Sequence, residues 1–137
     1  MGIAFNYRIR SPLEILQAQE DVAREVLDLD SSILHVTFVD DHGNVVARES
    51  KDSDSARFQF SSEVMRMWGV WEVIIVSVAK QLDPYMSRTQ FIVVAREDYK
   101  CILVPLGSRN LIAGIVVQAS TEARYIYDKI AAFFGPN

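Results

Sequence analysis

Cys101, His35 and His42 are the residues best equipped for covalent chemistry. A cysteine nucleophile needs a histidine beside it to take its proton. Cys101 stands in an apolar run (CILVPL) and His42 in a polar turn (DDHGN), so nothing in the sequence draws them together. Cys101 is expected to be a buried structural thiol. His35 alternates with Ile33 and Thr37 on one side of a strand-like run and is expected to be a packed or interface histidine. Asp52 and Asp54, with Glu63 eleven residues after Asp52, have the outline of a calcium loop. However, Ala56 and Arg57 occupy the places that need a ligand and the turn glycine. Asp40 and Asp41 flank a turn, where aspartate is favoured for backbone reasons alone. Gly107 is isolated and followed by a strand, which is not a phosphate-binding loop. No catalytic, metal or cofactor residue is expected, and an enzyme is the weakest of the functional readings.

The chain of 137 residues fits one domain at 11–137, preceded by an arm at 1–10. Half of it is hydrophobic, and the net charge of −4, with no basic run, argues against nucleic acid as a partner. One cysteine excludes an internal disulfide and suits a reducing compartment. No secretion signal opens the chain, and Asn6 stands where an N-myristoylation signal wants Ser or Thr. The expected location is cytoplasmic. Residues 62–82 are long and apolar enough to suggest a membrane span, but Arg66, Glu72 and Lys80 interrupt them. Direct membrane insertion is therefore not expected.

The elements follow from periodicity. Ile3, Phe5, Tyr7 and Ile9 alternate in a short strand-like arm. Ser11-Pro12-Leu13-Glu14 is a capping box that starts a helix to about residue 28. Residues 33–39 and 45–48 form a hairpin around Asp40–Asn44, and 49–57 read as a polar loop. The long helix at 62–82 is stopped by Asp83-Pro84. Strands at 89–95, 100–106 and 111–119 form an antiparallel meander, and a helix capped by Ser120-Thr121 ends at Gly135-Pro136. The last strands are apolar on both faces, so helices must cover both sides of the sheet. The expected fold is α+β: a five-stranded antiparallel sheet in the order α-β-β-α-β-β-β-α. The long helix takes one face and the terminal helices the other.

At about 100° per residue the long helix has two apolar faces. Val64, Met67, Trp68, Trp71, Ile75, Val78, Ala79 and Leu82 form the stripe expected to pack on the sheet, with the two tryptophans as core. Met65, Gly69, Val73 and Val76, interleaved with Arg66, Glu72, Ser77 and Lys80, form the other. This second face is expected to meet another protein, first of all a second copy of the chain.

The element order, the hairpin 34–47 (LHVTFVDDHGNVVA) and the run Leu103-Val104-Pro105-Leu106-Gly107 are similar to the roadblock/dynein-light-chain family, a branch of the profilin-like and longin-like folds. The resemblance covers about residues 12–134. It departs in the arm before Ser11 and in the two tryptophans of the central helix. It implies a dimer in which two central helices pack antiparallel and the following strand, with Phe91 and Val93, pairs across the two-fold axis. The interface residues it implies, with the outer face, are Met65, Arg66, Gly69, Glu72, Val73, Val76, Lys80, Phe91 and Val93. It further implies a non-enzymatic scaffold or regulator whose partner is a small Ras-like GTPase or a related roadblock subunit. The alternative is a small-molecule sensor of PAS- or profilin-like topology, with room for a ligand near Ala95, Ala113, Gly114 and Ala119.

Overall fold

The computed structural model describes residues 12–51 and 57–135, with the side chains of 12–17 left aside. The alternating arm at 3–9, Ser11, Asp52 and Asp54 lie outside the described residues. Helix α1 (Pro12–Leu27) leads into the hairpin of β1 (Ile33–Asp40) and β2 (Val45–Ser50). The long helix α2 (Ser62–Lys80) begins at Ser61, whose side chain accepts a hydrogen bond from the Val64 N–H at 3.2 Å. Glu63 in its first turn and Lys80 in its last complement the helix dipole.

Asp83-Pro84 stops α2 as expected, but extended chain does not follow at once. Proline instead stands in the first turn of a one-turn helix, α3 (Asp83–Met86), and Ser87 after it takes φ of 71°. The Asp83 carboxylate then accepts from both the N–H (3.0 Å) and hydroxyl (2.6 Å) of Thr89. This clasp delays the next strand, which starts at Ile92 and not at 89. Strands β3 (Ile92–Ala95), β4 (Tyr99–Leu106) and β5 (Leu111–Gln118) form the meander, with a short 3-10 turn at Gly107–Arg109. The closing helix α4 (Ala123–Phe134) has Glu122 as its N-cap residue, not Ser120 or Thr121, and ends at Gly135 with φ of +78°.

The five strands lie antiparallel in the order β2-β1-β5-β4-β3, with the hairpin joined to the meander through β1 and β5. Both faces are covered, as the doubly apolar strands require. On one face α1 and α4 pack Val26, Ala23, Ile126 and Ile130 against Phe38, Val36, Ile102 and Ile115. On the other, α2 packs Val76 with Val39, Cys101, Leu103 and Val116. A shift in register between Ile33 and His35 puts Ile33 into the α1–α4 core. His35 faces the other way and stacks on Phe58 (5.2 Å between centroids). The simple alternation of Ile33 with His35 and Thr37 is therefore broken by a bulge.

Two glycines decide how α2 crosses the sheet. Asp40 closes the β1–β2 turn by accepting from the N–H groups of His42 (3.0 Å) and Asn44 (2.9 Å), and Gly43 takes φ of +85° within it. Gly69 of α2 rests directly on that turn: a Cβ there would lie 2.0 Å from the Gly43 carbonyl oxygen. Gly69 does permit a close approach, but to the hairpin of its own chain and not to a second helix.

Candidate functional site

The apolar faces of α2 are rotated relative to the sequence expectation, although Trp68 and Ile75 still pack against the sheet core as expected. Met65, Gly69, Glu72 and Val76, expected in a dimer interface, are buried against the sheet. Of the stripe expected to form the core, Val64, Met67, Val78 and Leu82 are exposed, and Trp68, Trp71, Ile75 and Ala79 are half-buried. Both stripes are apolar with helical spacing, so hydrophobicity alone could not rank them. The buried one is chosen by shape: Gly69 fits the turn at Gly43, and Glu72 fits over Gly114.

The outward face carries Met67 (66% exposed), Val70 (46%), Ile74 (56%) and Val78 (60%). These positions recur every three or four residues and form one strip along the helix. The strip continues through exposed Leu82 into Tyr85 and Met86 of α3. Arg66 and Lys80 are exposed beside it, and Val93 is exposed on β3 at the sheet edge. Val73 is half-buried against the sheet core. Phe91 is half-buried on the opposite face, stacked on Tyr127 at 4.8 Å. Arg66, Lys80 and Val93 thus remain available to a partner, and Val73 and Phe91 in part.

Beneath the helix, Glu72 lies between α2 and the centre of the sheet with none of its surface exposed. The Thr37 hydroxyl is 3.4 Å from Glu72 Oε2 and 3.4 Å from the Gly114 carbonyl oxygen. Glu72 Oε1 has no hydrogen-bond partner among the described residues. A Cβ on Gly114 would stand 2.6 Å from Oε1 and 2.5 Å from Thr37 Oγ1, so the carboxyl occupies the space a side chain would take. Burial raises the carboxyl pKa from 4.5 to about 8, against smaller opposing effects of the Trp68 indole and the Thr37 hydroxyl. The indole N–H is near enough to act on the carboxyl but makes no hydrogen bond of normal geometry.

The residues considered for chemistry are kept apart. Cys101 and His35 are register neighbours of Val116 on opposite sides of β5, so about two strand spacings, roughly 10 Å, separate them. The buried Cys101 thiol is pushed well above its ordinary pKa by burial, and further by Glu72. Such a thiol is not an activated nucleophile. His35 is held down to about 4, by burial first and then by the charge of Arg48. Asp40, Asp41 and His42 bring their ligand atoms within 4.8 Å of one another, but Asp40 is already committed to the turn. The space at Gly114 that a ligand would need is filled by Glu72 and Thr37. No helix among the described residues is long and apolar enough to cross a membrane.

A feature missed in the sequence is the pair Phe58 and Phe60 just before α2. Phe58 touches His35, Phe60 and Tyr99, and Phe60 stacks on Trp68 at 5.8 Å. Trp68 meets Trp71 edge to face at 6.1 Å. The aromatic residue immediately before the N-cap serine was the available signal, since that position often anchors a helix start.

No family model matches this sequence, and no curated protein matches it. Solved structures match its fold. The roadblock/LC7 domain from Streptomyces avermitilis superposes with a TM-score of 0.65 at 8% identity, over 84% of this chain and 90% of that one. MglB of Myxococcus xanthus gives 0.63 at 10% identity, over 93% and 94%. MglB described with a tetrameric arrangement gives 0.63 at 15% identity, over 91% and 88%. At such identities the likeness concerns architecture alone, and in architecture the chain has the roadblock fold.

Proposed function

We propose that the domain at 11–137 is a non-enzymatic interaction module that forms a homodimer through the outward face of α2. The observation that carries this reading is the strip Met67, Val70, Ile74 and Val78, four large apolar side chains held in water on one rigid helix. An apolar patch of that kind on a folded surface is the usual mark of a partner. Packing against the same strip of a second copy covers it symmetrically. Exposed Val93 on the β3 edge lies where a second sheet could continue the first. The MglB described with a tetrameric arrangement shares the fold, which supports self-association. The dimer then presents a platform for a small Ras-like GTPase or a related roadblock subunit, as the family resemblance implies, in the reducing cytoplasm that suits the unpaired Cys101.

The test is light scattering behind size exclusion across a concentration series. The wild type is expected at twice 15.5 kDa. Ile74→Asp, which places a charge on the outward strip, is expected at 15.5 kDa with its fold intact. A wild-type monomer at every concentration, or an Ile74→Asp dimer as tight as wild type, would overturn the interface. Binding of a purified GTP-loaded Ras-like GTPase to the dimer then tests the partner.

A further inference from the structure

The outward strip and the buried carboxyl belong to the same helix. We infer that Glu72 is a proton-gated latch: neutral, it lets α2 lie on β1 and β5, and on losing its proton it lifts α2 from the sheet and weakens the dimer. The dimer half of this inference rests on the interface proposed above; the latch half rests on the interior of one chain.

The geometry gives ionised Glu72 little to hold its charge: Oε2 meets one hydroxyl and Oε1 has no partner among the described residues. From β1 it meets the Thr37 hydroxyl, which is shared with the Gly114 carbonyl oxygen. From β5 it meets Gly114, which has no side chain to offer. From β4 the titratable neighbour is Cys101, whose own ionisation the carboxylate opposes. His35, the other titratable group of β1, is held neutral by burial. On α2 itself the neighbour is the Trp68 indole, while Arg66 and Lys80 are exposed. From β2, which also packs on α2, Arg48 is the register partner of Thr37; it is exposed, its charge bears on His35, and no hydrogen bond joins it to the carboxyl. A buried carboxylate without a cation gains its solvation only by letting water in. The route for water is the α2–sheet seam, because the carboxyl enters from the helix side. Opening that seam tilts the surface on which Met67, Val70, Ile74 and Val78 stand.

The experiment follows tryptophan emission and molar mass together from about pH 6 to about pH 9, in wild type, Glu72→Gln and Glu72→Leu. Trp68 and Trp71 lie on the moving helix and report its lifting, whatever the state of assembly. In wild type the emission should shift as pH rises towards 8, the direction in which the seated carboxyl loses its proton, and the dimer dissociation constant should rise at least roughly tenfold. Neither change should occur in the two variants, which cannot titrate. Absence of an emission transition in wild type, or the same transition in both variants, overturns the latch. An emission transition with an unchanged dissociation constant overturns its coupling to assembly. A wild type that is monomeric throughout yet shows the transition upholds the latch and refutes the dimer.

Discussion

Gly114→Ala is the most direct probe of how α2 is seated. Its added Cβ would fall 2.5 Å from Thr37 Oγ1 and 2.6 Å from Glu72 Oε1, both well inside van der Waals contact. The three nearest atoms belong to those two side chains, so the tightest contacts run through them. Neither can swing into solvent, because Thr37 and Glu72 are fully buried. Overpacking of this kind costs about 1–3 kcal/mol. Restricting the unfolded chain returns about 0.4–1 kcal/mol, since residue 114 does not need a positive φ. A net loss of about 1–2 kcal/mol lowers the melting temperature by roughly 3–10 °C in a domain of this size. The assay is thermal and chemical denaturation near pH 6, run also in a Glu72→Ala background. There the truncated side chain vacates the space, so alanine at 114 should cost at least about 0.5 kcal/mol less than in wild type. An equal cost in both backgrounds, or a neutral Gly114→Ala, would refute the claim that the carboxyl lies on the bare backbone at 114.

Two further outcomes follow from buried and turn polar groups. His35 has a folded-state pKa of about 4, below its ordinary 6.5, so its contribution is complete above pH 6.5 and is lost as pH falls towards 4. In Glu72→Gln, denaturation curves should show about 3 kcal/mol lost over that window. In wild type the loss should be masked between pH 6.5 and 4.5, where protonation of Glu72 favours the folded state equally; an unmasked acid loss in wild type would contradict the pairing. Asp40→Ala removes the acceptor of the His42 and Asn44 N–H groups and should cost about 1–3 kcal/mol in urea denaturation, with an unchanged m-value.

The element order and the coverage of both sheet faces were legible because they are properties of sequence period. Runs such as Ile102-Leu103-Val104 and Ile115-Val116-Val117 can be satisfied only between two helix layers. The face of α2 was not legible, since two apolar stripes of helical spacing compete on it. Glu72 misled in a particular way. A charged residue on a helix ordinarily marks the solvent side, whereas here a carboxyl is buried over a missing side chain on a strand 42 positions away. The bulge between Ile33 and His35 leaves no pattern in a run that is buried on both faces. The stop at Asp83-Pro84 was readable, but not the Asp83–Thr89 clasp behind it, which depends on a rotamer and on the positive φ of Ser87.

The contact of Gly69 with the Gly43 carbonyl has a consequence for what the chain tolerates. Surface hairpins usually accept extra residues at little thermodynamic cost, because loop closure depends weakly on length. This one does not have that freedom, since its tip is part of the bed on which α2 rests. A peptide tag spliced between Asp41 and Asn44 would displace the carbonyl under Gly69 and unseat the helix. Gly107, where an added Cβ meets nothing within 4 Å, opens the turn that can carry such a tag. Between two turns of similar polarity, drift in length is thus confined to the second, while the first keeps its register as strictly as a core strand.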